Sequence, residues 1–169
     1  DLSQIYSILS LRFANEEITS LKSLPSPFSL KNVKEGAERF KEAFLQEKKI
    51  LIVGDYDADG ILSTAIMVRF FESIGVRNFS YVIPNRFKDG YGISEGVLAR
   101  YEGVDLIITV DNGITALEVA KECKKRGQTL IITDHHSPKD ELPDALIINP
   151  KVSGFAQEEI CGCLVAWYF

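Results

Sequence analysis

From residue 33 onward the chain switches repeatedly between two hydrophobic periods. In "NVKEGAERFKEAFLQEKK" the apolar residues Val33, Ala37, Phe40, Ala43 and Phe44 recur at helical spacing, with charges between them. Short apolar runs follow at 50–54 (ILIVG), 79–83 (FSYVI), 106–110 (LIITV), 129–133 (TLIIT) and 146–148 (LII). Their length and β-branched content predict strands. Helical patterns at 61–74, 93–102 and 114–126 separate them, and Gly75, Gly103 and Gly127 stand where a glycine closes a helix. Strands that are apolar on both faces and alternate with helices predict an α/β fold, a parallel Rossmann-like β-sheet flanked by helices. The segment 160–169 is apolar enough to form a buried helix.

Before this alternation, residues 1–31 form a leader. It holds an apolar, helix-like piece, "LSQIYSILSLRF", and then "LPSPFSL", whose two prolines predict a non-helical connection. The remainder, 32–169, reads as one domain with no internal repeat. With 46% hydrophobic and 25% charged residues in 169, the chain has the balance of a globular protein able to bury a core. No apolar run approaches the ~18 residues of a membrane span, and no secretory signal is visible, so a cytoplasmic protein without a membrane partner is expected. Three cysteines without CxxC spacing suit reduced thiols; "CGC" at 161–163 leaves a redox or metal role open. Asp1 in place of a methionine, and the uncapped apolar end "LVAWYF", read as a piece of a longer chain.

The chemistry concentrates after the strands, where open parallel sheets bind ligands. The first strand is followed by "GDYDADG" (54–60), the third by "DNG" (111–113) and the fourth by "DHH" (134–136). These clusters hold five of the ten aspartates and both histidines, while all fourteen glutamates lie elsewhere. "DYDADG" is no EF-hand loop: position twelve is Ile66 rather than Glu, and a strand rather than a helix precedes it. Mixed carboxylate and imidazole ligands suit Mn²⁺ or Mg²⁺ better than structural zinc. So many clustered carboxylates repel one another unless more than one cation is present. Two ions about 3.5–4 Å apart are the usual apparatus for hydrolysing phosphate esters. Such bound cations also weaken the argument, from a net charge of −5, against a nucleic-acid partner. Taken singly, "DNG" is an ordinary turn and an aspartate after a strand an ordinary helix cap; their convergence on one sheet edge favours the metal site. The loop "PNRFKDGYG" (84–92) reaches the same edge. Its Arg86 and Lys88 could hold phosphate, and its glycines allow close backbone approach; a solvated polar loop is the alternative.

In order and spacing, "GDYDADG", "IPNRFKDGYG", "ITVDNGI", "ITDHH" and "INPK" resemble the DHH phosphoesterase superfamily, and within it the branch of single-stranded-DNA exonucleases. The likeness covers roughly residues 35–151. Other branches show a histidine-led first motif, where Val53 and Gly54 stand here. The resemblance implies a phosphodiesterase that uses two Mn²⁺ or Mg²⁺ ions to degrade single-stranded DNA from 5′ to 3′ in recombination and repair. Its alternatives are a hydrolase of short RNA, cyclic dinucleotides or pyrophosphate, and an inactive DNA-binding module. Carried onto this chain, it makes Asp57, Asp59, Asp111 and His135 metal ligands, with Asp111 bridging. Asp55, Asp134 and His136 would be catalytic or support the ligands, with His136 facing the scissile phosphate. Arg86, Gly90, Tyr91 and Gly92 would bind substrate. Implied partners are single-stranded DNA and other repair proteins. The family's further metal-binding aspartate and second domain are not found in these 169 residues, so this stretch alone is expected to be inactive.

Overall fold

The computed structural model describes residues 2–12 and 20–169. Five strands form one sheet: β1 (Ile50–Val53), β2 (Phe79–Val82), β3 (Leu106–Val110), β4 (Thr129–Thr133) and β5 (Leu146–Ile148). They pair in the order β2-β1-β3-β4-β5, and every pair is parallel. The winding reverses between β1 and β3, and at such a reversal an α/β sheet leaves a crevice beyond the carboxyl ends of its strands. The expected architecture is therefore present, and the acidic clusters follow β1 and β3, which border the crevice, and the neighbouring β4.

Successive strand residues face opposite sides of the sheet. Ile50, Ile52, Leu106, Ile108 and Ile131 face one side, covered by α2 (Val33–Leu45), α3 (Ala58–Ser73) and α7 (Gly162–Tyr168) through Val33, Ala43, Met67, Phe71 and Val165. Leu51, Val53, Ile107 and Ile132 face the other, covered by α4 (Glu95–Ala99) and α5 (Leu117–Lys125) through Val97, Leu98, Val119 and Cys123. Both β1 and β3 are buried throughout. The edge strand β2 departs from the expectation of strands covered on both faces, because Ser80 and Tyr81 are exposed. A polar residue on an edge strand discourages pairing with another chain.

Several element bounds differ from the periodicity. Helix α3 begins at Ala58 rather than 61, because Asp57 is extended and its carboxylate accepts the Gly60 N–H at 2.9 Å. Part of the first acidic motif is thus helix rather than loop. Helix α4 is shorter than 93–102, since Ser94 caps it and Arg100 ends it. In α5, a turn from Gly113 to Ala116 delays the start to Leu117. Prolines do not exclude helix from 24–30: Ser26 caps a single 3₁₀ turn, Pro27–Ser29, whose first position needs no N–H. The apolar piece near the start is helical as expected, α1 (Leu2–Arg12), with side chains 2–11 exposed; Phe13 lies outside the described residues. Between β5 and α7 lies one further short helix, α6 (Pro150–Ser153). No helix among the described residues is long and apolar enough to cross a membrane.

Candidate metal centre

Asp111 is the first residue past β3, and its backbone is left-handed (φ 63°), unusual for anything but glycine. Two bonds hold it there: its N–H donates to Thr133 O at 2.9 Å, and its carbonyl accepts from the Tyr91 hydroxyl at 3.3 Å. That backbone turns the side chain into the protein, where it is fully buried and neither carboxylate oxygen has a hydrogen-bond partner. His135 Nε2 stands 3.2 Å from Oδ1. Burial pushes the Asp111 carboxyl above its ordinary pKa, while the nearby His135 works in the opposite direction. At Gly162, the start of α7, an added Cβ would lie 2.2 Å from Asp111 Oδ1, so only glycine lets that helix come so near.

Asp55 repeats the pattern after β1. It is buried, its Oδ1 has no partner, and burial again raises its pKa. Ligand atoms of Asp55, Asp57 and Asp111 come within 4.8 Å of one another, and so do those of Asp111, His135 and His136. Asp111 belongs to both groups. Asp59 lies 3.6 Å from His135 Nε2 through Oδ2. Its two oxygens also accept the N–H groups of Gly162 (2.6 Å) and Cys163 (2.7 Å), so a residue in the first turn of α3 caps the start of α7. A buried carboxylate with no donor is costly. Unpartnered oxygens beside an imidazole form a donor set of the kind that suits Mn²⁺ or Mg²⁺.

Asp134, one residue past β4, is equally buried and fully partnered. Oδ1 accepts from the backbone N–H groups of His135 (2.7 Å) and His136 (3.0 Å) and lies 2.7 Å from His136 Nδ1; Oδ2 accepts from Ile114 N–H at 2.9 Å. Burial alone would raise its pKa, yet the His136 side chain and these N–H groups leave it below the usual carboxylate value. The same contact raises the pKa of His136, and Asp111 does likewise for His135. Tyr91 lies edge-on to His136, with its hydroxyl 3.2 Å from Nδ1. Burial and the surrounding carboxylates push its phenol pKa up, so the hydroxyl keeps its proton.

The seven acidic and histidine residues singled out from the sequence therefore share one sheet edge. Neither Asp111 nor Asp134 is a helix cap; Asp57 is. Arg86 sits farther out, its guanidinium 5.4 Å above the Tyr56 ring, which in turn meets Tyr91 edge-on at 6.3 Å. Its loop is held in shape: Asn85 Oδ1 accepts from Phe87 and Lys88 N–H, and Asp89 pairs with Arg100 at 2.6 Å. Gly90 and Gly92 have positive φ (80° and 59°). A Cβ on Gly92 would lie 2.8 Å from Asn112, which explains the absence of a side chain there.

Asn112 was hidden in the sequence by its resemblance to a turn residue. It is fully buried, donates to Val53 O (3.0 Å) and Val110 O (2.9 Å), and accepts from Ile93 N–H (2.9 Å). One amide thus ties β1, β3 and the loop carrying Tyr91 together. A concavity of about 650 Å³ beside Phe44, Lys48, Ile50 and Arg77 lies at the amino end of β1, away from the acidic edge.

Among curated proteins, the chain is 40% identical over 172 residues to the single-stranded-DNA-specific exonuclease RecJ of Escherichia coli (strain K12), covering 99% of this chain and 30% of that protein. With the protein of the same name from Bacillus subtilis (strain 168) it shares 44% over 146 residues, 83% of this chain and 18% of the relative. This chain thus spans less than a third of the length of either relative. A crystal structure of exonuclease RecJ bound to manganese superposes with a TM-score of 0.77 at 38% identity, covering 86% of this chain and 37% of that one. RecJ from Thermus thermophilus in complex with Mn²⁺ gives a TM-score of 0.72 at 34% identity, covering 90% and 21%. Residues 49–169, which carry all five strands and all seven clustered acids and histidines, match the N-terminal domain of the DHH family, and the chain belongs to that family.

Proposed function

We propose that this chain carries the metal-binding part of a phosphodiesterase that removes nucleotides from single-stranded DNA, in the 5′-to-3′ direction, during recombination and repair. One observation carries the reading. The fully buried Asp111 presents two unpartnered oxygens to a ring of acids and histidines at the sheet's switch point. Support comes from the two relatives, both named single-stranded-DNA-specific exonucleases, and from the Mn²⁺ in two similar structures.

In this reading Asp57, Asp59, Asp111 and His135 would hold two Mn²⁺ or Mg²⁺ ions, with Asp111, which belongs to both ligand groups, serving either one. Bound there, the ions would acidify the attacking water and offset charge on the phosphoryl oxygens. Asp55 adds negative charge on the β1 side. Asp134 fixes the ring of His136, and its charge keeps that ring protonated to higher pH, so the imidazolium can donate to a phosphate oxygen. Arg86 and the backbone around Gly90, Tyr91 and Gly92 hold the DNA phosphates next to the site. The catalytic domain is taken to begin at residue 32, with Leu30 of the preceding leader sealing its core. Repair proteins as further partners and a cytoplasmic location complete the reading; the three free thiols suit a reducing compartment.

The test is a digestion of 5′-labelled single-stranded DNA by the full-length protein with Mn²⁺, set beside Asp111→Ala and His136→Ala. Release of mononucleotides that either substitution abolishes is the expected result. Hydrolysis of short RNA or pyrophosphate in place of long DNA would overturn the substrate assignment, and turnover surviving Asp111→Ala would overturn the site.

A further inference from the structure

We infer that Cys161, Cys163 and Asp59 form a second cation site, selective for a thiophilic divalent ion such as Zn²⁺ or Cd²⁺. The two sulfurs lie 3.3 Å apart, and together with an Asp59 oxygen they fall within 4.8 Å of one another. The capping bonds described above produce this grouping. Asp59 accepts the N–H groups of Gly162 and Cys163, which pins the "CGC" turn against α3 and leaves each sulfur beside the carboxylate. Both thiols are free, and Cys161 is exposed, giving an ion a path from solvent. Cys163 is only partly exposed.

Two sulfurs and one oxygen are three of the four ligands of tetrahedral zinc, with the fourth position open to water. Soft thiolates select Zn²⁺ over the Mn²⁺ or Mg²⁺ that the neighbouring oxygen-rich cluster prefers. Binding must displace the thiol protons, so uptake releases acid. The carboxylate already makes two hydrogen bonds to backbone N–H groups, which orient it without using all its lone pairs. The site itself stands on this geometry alone. Its consequence rests on the proposed function: Asp59 would be shared, so a thiophilic ion would antagonise Mn²⁺ at the hydrolytic centre.

The experiment titrates the 169-residue chain with Cd²⁺ under a phosphine reductant and follows the ultraviolet thiolate-to-cadmium charge-transfer band. One equivalent should saturate the band in the native chain and in Cys123→Ser, whose cysteine is buried elsewhere. Each single variant, Cys161→Ser or Cys163→Ser, should weaken it, and the double variant should lose it while keeping its far-ultraviolet circular dichroism. No band in the native chain would overturn the site without reference to any variant. A band unchanged in a folded double variant would overturn it equally. Mn²⁺ affinity, measured by calorimetry with and without one equivalent of Cd²⁺, reads the shared ligand separately. If the band forms and Mn²⁺ binding is unaffected, the cysteine site stands and the sharing of Asp59 with the hydrolytic centre does not.

Discussion

Asp111 and Asp134 each stand one residue past adjacent parallel strands, both fully buried and each beside one histidine, but only Asp134 is met by backbone donors. Asp134 receives three backbone N–H groups and the His136 ring. Asp111 receives no backbone N–H and has only the His135 imidazole, 3.2 Å from Oδ1, beside it. Asp134 is a structural anion whose charge is already neutralised by the fold. Asp111 is an anion that the fold leaves for something else to neutralise. That division separates their expected responses to the same substitution.

Asp111→Asn should stabilise the metal-free chain. Removing a buried charge that no backbone donor meets relieves a desolvation cost of about 1–3 kcal/mol, and asparagine tolerates the left-handed backbone. Thermal melting in alkaline buffer, which favours the neutral form of His135, should show the increase. The same variant should lose the rise in Tm that Mn²⁺ gives the native chain. A variant less stable than the native chain, or one still stabilised by Mn²⁺, would refute the assignment of Asp111 as a ligand.

Asp134→Asn should move stability the other way. An amide can present one acceptor oxygen, not two, and its NH₂ would face N–H donors at 2.7–3.0 Å. Hydrogen bonds to a charged group are worth about 1.5–3 kcal/mol, so a loss on the order of 2–4 kcal/mol is expected. Urea denaturation of the metal-free chain measures it. Little change would mean that the His136 loop does not depend on this anion.

Stability of the metal-free chain should fall as pH rises from about 5 to about 8. Asp55 and Asp111 have pKa values raised from 3.8, chiefly by burial, so folding favours their protonated forms and this advantage disappears above their native values. His135 and His136, raised from 6.5 by their carboxylate partners, lose their contribution over the following range. Asp134 has the opposite sign, but its contribution is lost only in acid, below 3.8. Since protons compete with metal for the same groups, the rise in Tm with Mn²⁺ should be larger at the higher pH. A metal-free chain equally stable at both values would contradict the inferred strain of the buried carboxylates.

The five strands and the three acidic clusters are legible because both follow from local signals: apolar runs and the residues that end them; the pairing order β2-β1-β3-β4-β5 is not. What escaped was contact across long separations. The periodicity could not show Asp59 capping Gly162 and Cys163, because roughly a hundred residues intervene. Asn112 passed for a turn because its partners, Val53 and Ile93, lie on other elements. The start of α3 differs from the periodicity for another reason: polar residues of "DADG" interrupt the apolar pattern, yet Asp57 is the cap and Asp59 belongs to the first turn.

Arg86→Ala should weaken binding of single-stranded DNA by the full-length protein while leaving Mn²⁺ binding unchanged. A guanidinium cannot ligate a cation, and Arg86 stands outside the carboxylate cluster, over Tyr56. The chain of contacts from Arg86 through Tyr56 to Tyr91 and His136 nevertheless places its charge on the approach to the site. A backbone phosphate held there would release its counterions, so losing the contact should lower the slope of log affinity against log salt by about 1. Arg86→Lys should keep most of that slope, because the charge remains, but bind less tightly because the planar two-pronged donor is lost. Anisotropy titrations of labelled single-stranded DNA at several salt concentrations, beside Mn²⁺ calorimetry on the same preparations, separate these effects. An unchanged slope in Arg86→Ala would mean that this arginine only packs on Tyr56 and is solvated, and the substrate path would have to be sought elsewhere on the sheet edge.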